Sequence, residues 1–200
     1  GLPHHVLEAA KQAAKSEGLE GWVLTLDFPV YYAVMLQADN RQLREEFYTA
    51  YATRASDQGP KAGEWDNTDL IEQILTLRLE LAKLLGFTNY AEYSLATKMA
   101  QSTDQVVSFL EDLAAKSRPQ AAKELEELTA FAQAEEGMND LQAWDITYYA
   151  ERLKQQRFNI SQQELRPYFP LPKVLDGLFA VTERLFGVSV TELKEFDSYL

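Results

Sequence analysis

Two hundred residues, 46% hydrophobic and 25% charged, suit one large folded domain or a piece of a bigger protein and speak against a disordered chain. A formal net charge of −12 argues against non-specific binding to nucleic acid or an anionic membrane, since both rest on excess Lys and Arg. The absence of cysteine removes a disulfide framework and thiol catalysis, and it fits a reducing compartment, the cytoplasm. No run approaches the roughly eighteen apolar residues of a membrane span, and no signal-peptide pattern opens the chain. Gly1-Leu2-Pro3 leads straight into a helical pattern, and the chain stops at Phe196–Leu200 without a polar tail. Such ends are expected of a segment excised from a longer chain; the alternative is a natural 200-residue protein.

In chain order, residues 4–17 are rich in Ala, Lys and Glu and predict a helix stopped by Gly18. Residues 22–26 are β-branched and apolar enough for a short strand or an extended crossing. Asp27-Phe28-Pro29 opens the next helix, because Pro fits a first turn. Asn40 caps a third, with Leu43, Phe47, Ala50 and Tyr51 on one face and Arg41, Arg44 and Glu45 on another. Residues 56–66 form a loop, broken by Gly59-Pro60 and Gly63.

Asn67 begins an amphipathic helix whose Leu70, Ile74, Leu77, Leu81, Leu84 and Leu85 recur at helical spacing, with Gly86 as its stop. Thr88 or Asn89 caps a helix over Tyr90–Met99. Ser102-Thr103-Asp104 starts a long charged helix to about Ala134, which Pro119 should break or kink. After a turn at Gly137–Asp140, helical pieces cover Trp144–Gln156, Gln162–Tyr168 and Leu171–Phe186, the last closed by Gly187. No repeat or low-complexity tract is present. The expected fold class is all-α, one helical segment over 1–200, with at most one short strand or strand pair near 22–26.

The chemistry of the side chains is sparse. A His-Glu-x-x-His helix puts two imidazoles one turn apart, whereas the only histidines here, His4 and His5, are adjacent and point roughly 100° apart. They are poor metal ligands and poor triad members, and no Gly-x-Ser-x-Gly or phosphate-binding glycine loop occurs. A carboxylate pair of the glycosidase kind is open in so acidic a chain, but nothing singles one out. No catalytic residue and no metal ligand is assigned.

The residues that stand out lie between Leu141 and Phe186. On a helix Trp144 and Tyr148 share a face with Glu151 and Arg152, and Asp145 and Tyr149 share the adjacent one. One reading is a core-facing aromatic stripe with Asp145 as helix cap. The other puts Trp144, Asp145, Tyr148 and Tyr149 on the wall of a substrate channel, with phenols available to peptide backbone. In RPYFPLPKV, Arg166-Pro167 and Phe169-Pro170 predict extended backbone at a rigid corner, and Pro172 fits a first turn. Arg78, inside an apolar run, is expected to make an ion pair to another helix.

Six blocks in register carry a resemblance: TLDFPVYYAVM (25–35), LREEFYTAYATRA (43–55), ILTLRLELAKLLGFTNYAEYSLATKMAQS (74–102), VVSFLEDLA (106–114), AWDITYYAERLKQQRFNIS (143–161) and LRPYFPLPKVLDGLFAVTERLFGV (165–188). In these the chain resembles the thimet oligopeptidase, neurolysin and oligopeptidase A family of zinc metallopeptidases. LATKMA and YFPLPKVLDGLF are nearest its bacterial oligopeptidase A branch. The resemblance is weakest before residue 20 and over 115–140.

The resemblance implies a cytoplasmic parent that hydrolyses short peptides with a zinc-bound water, in a channel between two mostly helical lobes. The family's His-Glu-Phe-Gly-His helix and its Gly- and Tyr-rich substrate loop lie C-terminal to these blocks, so no catalytic or zinc-binding residue carries onto this chain. The 200 residues would then supply scaffold and channel wall and would neither bind zinc nor cleave peptides alone. The implied partner is the remainder of the same peptidase chain, and apolar surface is expected where the two meet. The acidity would bias which charged peptides enter. The reading from another functional class is a free-standing helical binding or scaffold protein.

Overall fold

A computed structural model describes residues 1–193, without the side chains of Gln162, Gln163 and Arg166. All regular structure in the described residues is helical, and it falls into two units, Gly1–Leu153 and a second from Lys154 onward. No helix among the described residues is long and apolar enough to cross a membrane.

The first unit opens with α1 (His4–Ser16), which buries Val6, Ala10 and Ala14 at four-residue spacing. Residues 22–26 then cross without regular structure, tied down by Val23 N–H donating to the Ala10 carbonyl at 3.0 Å. Neither the short strand nor a strand pair forms here. In α2 (Phe28–Gln37) Pro29 occupies the first turn, and Val34, Met35 and Leu36 are buried. Asn40 caps α3 (Arg41–Ala52), its Oδ1 accepting Leu43 N–H at 3.1 Å, and α3 packs on α2.

The helix α4 (Thr68–Leu84) starts at Asn67 as expected, but Asp66 makes the capping contact, accepting the Thr68 N–H at 2.9 Å. Its leucine stripe does not form a core. Ala82 is the only buried residue of α4, and Leu84 is 84% exposed. Arg78 also departs from expectation: its guanidinium lies 5.0 Å from the centre of the Tyr90 ring, a cation–π contact in place of an ion pair.

The next helix, α5 (Tyr90–Leu95), is shorter than the Tyr90–Met99 prediction, giving way to a turn in which Lys98 N–H reaches the Leu95 carbonyl at 2.8 Å. Asn89 caps it. Its Oδ1 accepts Glu92 N–H at 3.0 Å, and Glu92 returns the contact by accepting Thr88 N–H at 3.1 Å. Asn89→Ala should cost about 1 kcal/mol of stability, read from the urea midpoint; an unchanged midpoint would mean that water replaces the cap.

Ser102 caps α6 (Thr103–Glu136), whose 34 residues run through Pro119 without the break that was one of the two expectations there. Gly137 ends it at φ 68°, where its N–H and that of Met138 close onto the Gln133 and Ala132 carbonyls. Leu128 and Ala132 near the end of α6 pack with Tyr148 and Tyr149 of α7 (Ala143–Phe158), flanked by Phe131, Met138, Leu141, Ile146 and Leu153. These residues form a hydrophobic core cluster of the first unit.

The second unit takes up the end of α7, then α8 (Gln162–Leu165), a 3₁₀ turn over Arg166–Tyr168, and α9 (Leu171–Phe186). The 3₁₀ turn corrects the expected extended backbone at Arg166-Pro167: Pro167 sits in a helical turn, and only Pro170, at φ −66° and ψ 136°, is extended. In α9, Pro172 occupies the first turn and Gly187 closes the helix, as its sequence predicts. No residue of α9 is buried.

Candidate functional site

The residues singled out at 144–149 meet the start of α3. Arg41 and Arg44 are three positions apart and so share a face of that helix. Both reach Asp145 at the start of α7. Arg41 approaches Oδ2 through Nη2 at 2.8 Å and through Nε at 3.1 Å, and Arg44 Nη2 reaches Oδ1 at 2.8 Å. Asp145 Oδ2 also accepts Gln142 N–H at 3.0 Å, so this carboxylate reaches back from within the first turn and is not the N-cap itself.

Arg44 is the largest fully buried side chain in the described structure. Its guanidinium donates to the Ala38 carbonyl at 2.7 Å and the Trp144 carbonyl at 3.2 Å, and it lies 4.0 Å from the centre of the Tyr148 ring. Sequence periodicity had put Arg44 on the polar face of α3. Three charge-assisted and main-chain bonds, plus an aromatic face, replace the water it loses.

The network continues through the two tyrosines. Tyr148 donates its hydroxyl hydrogen to Asp39 Oδ1 at 3.0 Å and accepts from Arg152 at 2.9 Å; Arg152 also pairs with Glu136. Tyr149, wholly buried, donates to Glu136 Oε2 at 2.8 Å and meets the Tyr148 ring edge-on at 5.2 Å. Trp144 is only partly buried and leans on Tyr48 at 5.9 Å, and its indole N–H finds no acceptor among the described residues.

Burial alone would push the Asp145 carboxyl up, but the hydrogen bonds from Arg41, Arg44 and Gln142 outweigh it and hold it below the ordinary carboxylate value. The opposite holds for Tyr149. Burial, then the bond to the Glu136 carboxylate, pushes its phenol up to about 12. A phenol raised in the folded state stabilises the fold fully below about pH 10 and loses that contribution as pH climbs toward the folded value. Tyr149→Phe should therefore flatten the alkaline loss of stability. Wild type and variant, compared by urea unfolding at neutral pH and near pH 12, should converge by roughly 2–3 kcal/mol; parallel curves would rule the phenol out.

A carboxylate with both oxygens engaged by two arginines has little capacity left to take a substrate proton. Asp145 is chemically a rivet between α3 and α7. The arrangement brings Asp145, Tyr148 and Tyr149 together in one buried cluster and leaves Trp144 alone of the four reaching the surface. Sequence reasoning missed Asp39, Arg41, Arg44, Glu136 and Arg152 as members. The only local signal was the Arg-x-x-Arg spacing at 41–44.

Every member of this cluster falls in the region, residues 34–199, that matches the model of peptidase family M3. The chain belongs to this family. It is 56% identical over 197 residues to oligopeptidase A of Escherichia coli (strain K12) and 52% identical over 199 residues to that of Haemophilus influenzae, covering 98% and 100% of this chain. Over 199 residues it is 47% identical to the probable cytosolic oligopeptidase A of Arabidopsis thaliana, covering 95% of this chain. The chain spans 29% of the length of each bacterial relative and 28% of the plant one.

Among the described residues of this M3 chain, no group of three His, Cys, Asp or Glu side chains could hold a metal ion. His4, its side chain 89% exposed, stands 3.9 Å from Glu8. These residues do not fit a metal centre, and no reaction step is assigned to them through one.

Proposed function

We propose that residues 1–200 are one helical scaffold and channel-wall portion of a zinc-dependent oligopeptidase that hydrolyses short peptides in the cytoplasm. Membership of family M3 and the identity to oligopeptidase A over almost the whole chain carry this reading. The uncovered apolar stripes of α4 and α9 support it, because such stripes need further polypeptide to pack on. The chemistry belongs to a zinc site outside these residues, where the bound metal activates water. The free-standing scaffold reading has no such support.

In this proposal Trp144 faces the channel, and Asp145, Tyr148 and Tyr149 hold its helix from behind. Their burial, and the partial exposure of Trp144, favour that division. The reading frame beyond Leu200 is the direct test. Codons for a His-Glu-x-x-His helix uphold the peptidase, and an immediate stop codon overturns it. The isolated 200-residue chain should hold no stoichiometric zinc by metal analysis and should leave a quenched fluorescent peptide uncut. In the complete enzyme, Trp144→Ala should raise KM for peptides several-fold with kcat less affected; unchanged kinetics return Trp144 to a packing role.

A further inference from the structure

A groove of about 650 Å³ lies in the first unit, and no residue of the Asp145 cluster lines it. Leu24 and Leu26, from the segment between α1 and α2, line it together with Phe47 and Ala50 of α3. The far wall is Pro60. Its loop is pinned by Gly63 N–H to the Ser56 carbonyl at 3.1 Å and Asn67 N–H to the Ala55 carbonyl at 3.0 Å. Gly59 sits so close to Thr53, at φ 80°, that an added Cβ would fall 1.9 Å from the threonine hydroxyl. The groove is thus built before anything enters it.

Two features say what it would accept. The charged residues lining it are Glu45 and Glu46, both exposed, and no cation lines it. Basic groups adjacent in sequence to its lining are engaged elsewhere: Arg41 on Asp145, and Lys61 with Glu64 at 3.5 Å. In addition, the N–H and C=O groups of Leu24 and Leu26 make no hydrogen bond to any described residue. These two residues thus leave two donors and two acceptors open to the backbone of a ligand.

We propose that this groove binds an extended peptide with an apolar side chain flanked by Lys or Arg. The peptide pairs with the backbone of Leu24 and Leu26 as an added strand. Its apolar side chain rests against Phe47 and Ala50, and its cations meet Glu45 and Glu46. The proposal is independent of the peptidase reading, since it requires binding and no bond cleavage.

Fluorescence anisotropy with labelled Arg-Ser-Leu-Ser-Arg tests it on the 200-residue chain, since alternate residues put both arginines and the leucine on one side. Saturable binding is expected. It should weaken by about tenfold with Glu-Ser-Leu-Ser-Glu, in the Glu45→Lys/Glu46→Lys double variant, or as ionic strength rises from about 0.05 to about 0.5 M. Methylating the peptide nitrogens that face Leu24 and Leu26 should abolish it. The Glu45→Gln/Glu46→Gln variant, with circular dichroism as folding control, should show a smaller loss in the same direction. No saturable binding, equal affinity for the acidic peptide, or indifference to N-methylation would overturn the proposal.

Discussion

Asp145→Ala is expected to cost the fold about 3–5 kcal/mol, the largest effect of any single substitution considered, because it strands a buried guanidinium. Arg44 keeps only 2% of its side-chain surface exposed, so it has no route back to water; Arg41, at 41%, can turn outward. The loss would be a sizeable part of the 5–15 kcal/mol that holds a typical domain together. Urea unfolding followed by circular dichroism measures it, and a loss below about 1 kcal/mol would show that Arg44 relaxes into solvent. Replacing Arg41, Arg44 and Asp145 together by apolar residues should cost less than Asp145→Ala, since the penalty lies in the unpaired charge.

The same carboxylate sets an acid limit. Its folded-state value is lowered, so its contribution is intact above the unfolded value near pH 4 and disappears as pH falls through the folded one. The difference in stability between wild type and Asp145→Asn should therefore shrink below about pH 4. A difference that stays constant into stronger acid would mean that the charge of Asp145 contributes little.

Pro119→Ala should act in the opposite direction and stabilise the chain by up to about 3 kcal/mol. Pro119 lies in the middle of the 34 residues of α6, where it has no N–H to give the Ala115 carbonyl, and its ring crowds that carbonyl. The site is exposed, so alanine removes no packing. Ser117 already turns its hydroxyl to the Leu113 carbonyl at 2.7 Å, evidence that side chains serve the helix backbone in this stretch. A higher urea midpoint and a gain in helical signal are expected. No gain would mean that the helix bends at Pro119 enough to relieve the clash.

Local rules carried far along this chain. The helix starts at Asn40, Asn89 and Ser102 are written in three residues each, because a side-chain oxygen has only to reach an N–H within the next turn. The stops at Gly86, Gly137 and Gly187 follow equally local geometry. Where these rules fell short, a few residues of local sequence did not hold the answer. Pro119 left a break or a kink open, and helix forms on both sides and carries through it. The leucine stripe of α4 marks an apolar face without saying what covers it, and nothing among the described residues does.

Composition, caps, periodicity and six family blocks were enough to determine the all-α class, most helix ends and membership of a peptidase family. Those properties depend on residues within a few positions of one another, or on words of sequence read in order. The tertiary structure alone decided that Arg44 is interior, that Asp145 joins α3 to α7, and that Tyr149 bonds to Glu136. Arg44 and Asp145 are 101 positions apart. A buried charge is tolerated only where its counter-charge arrives from elsewhere in the fold, and no local pattern records that arrival.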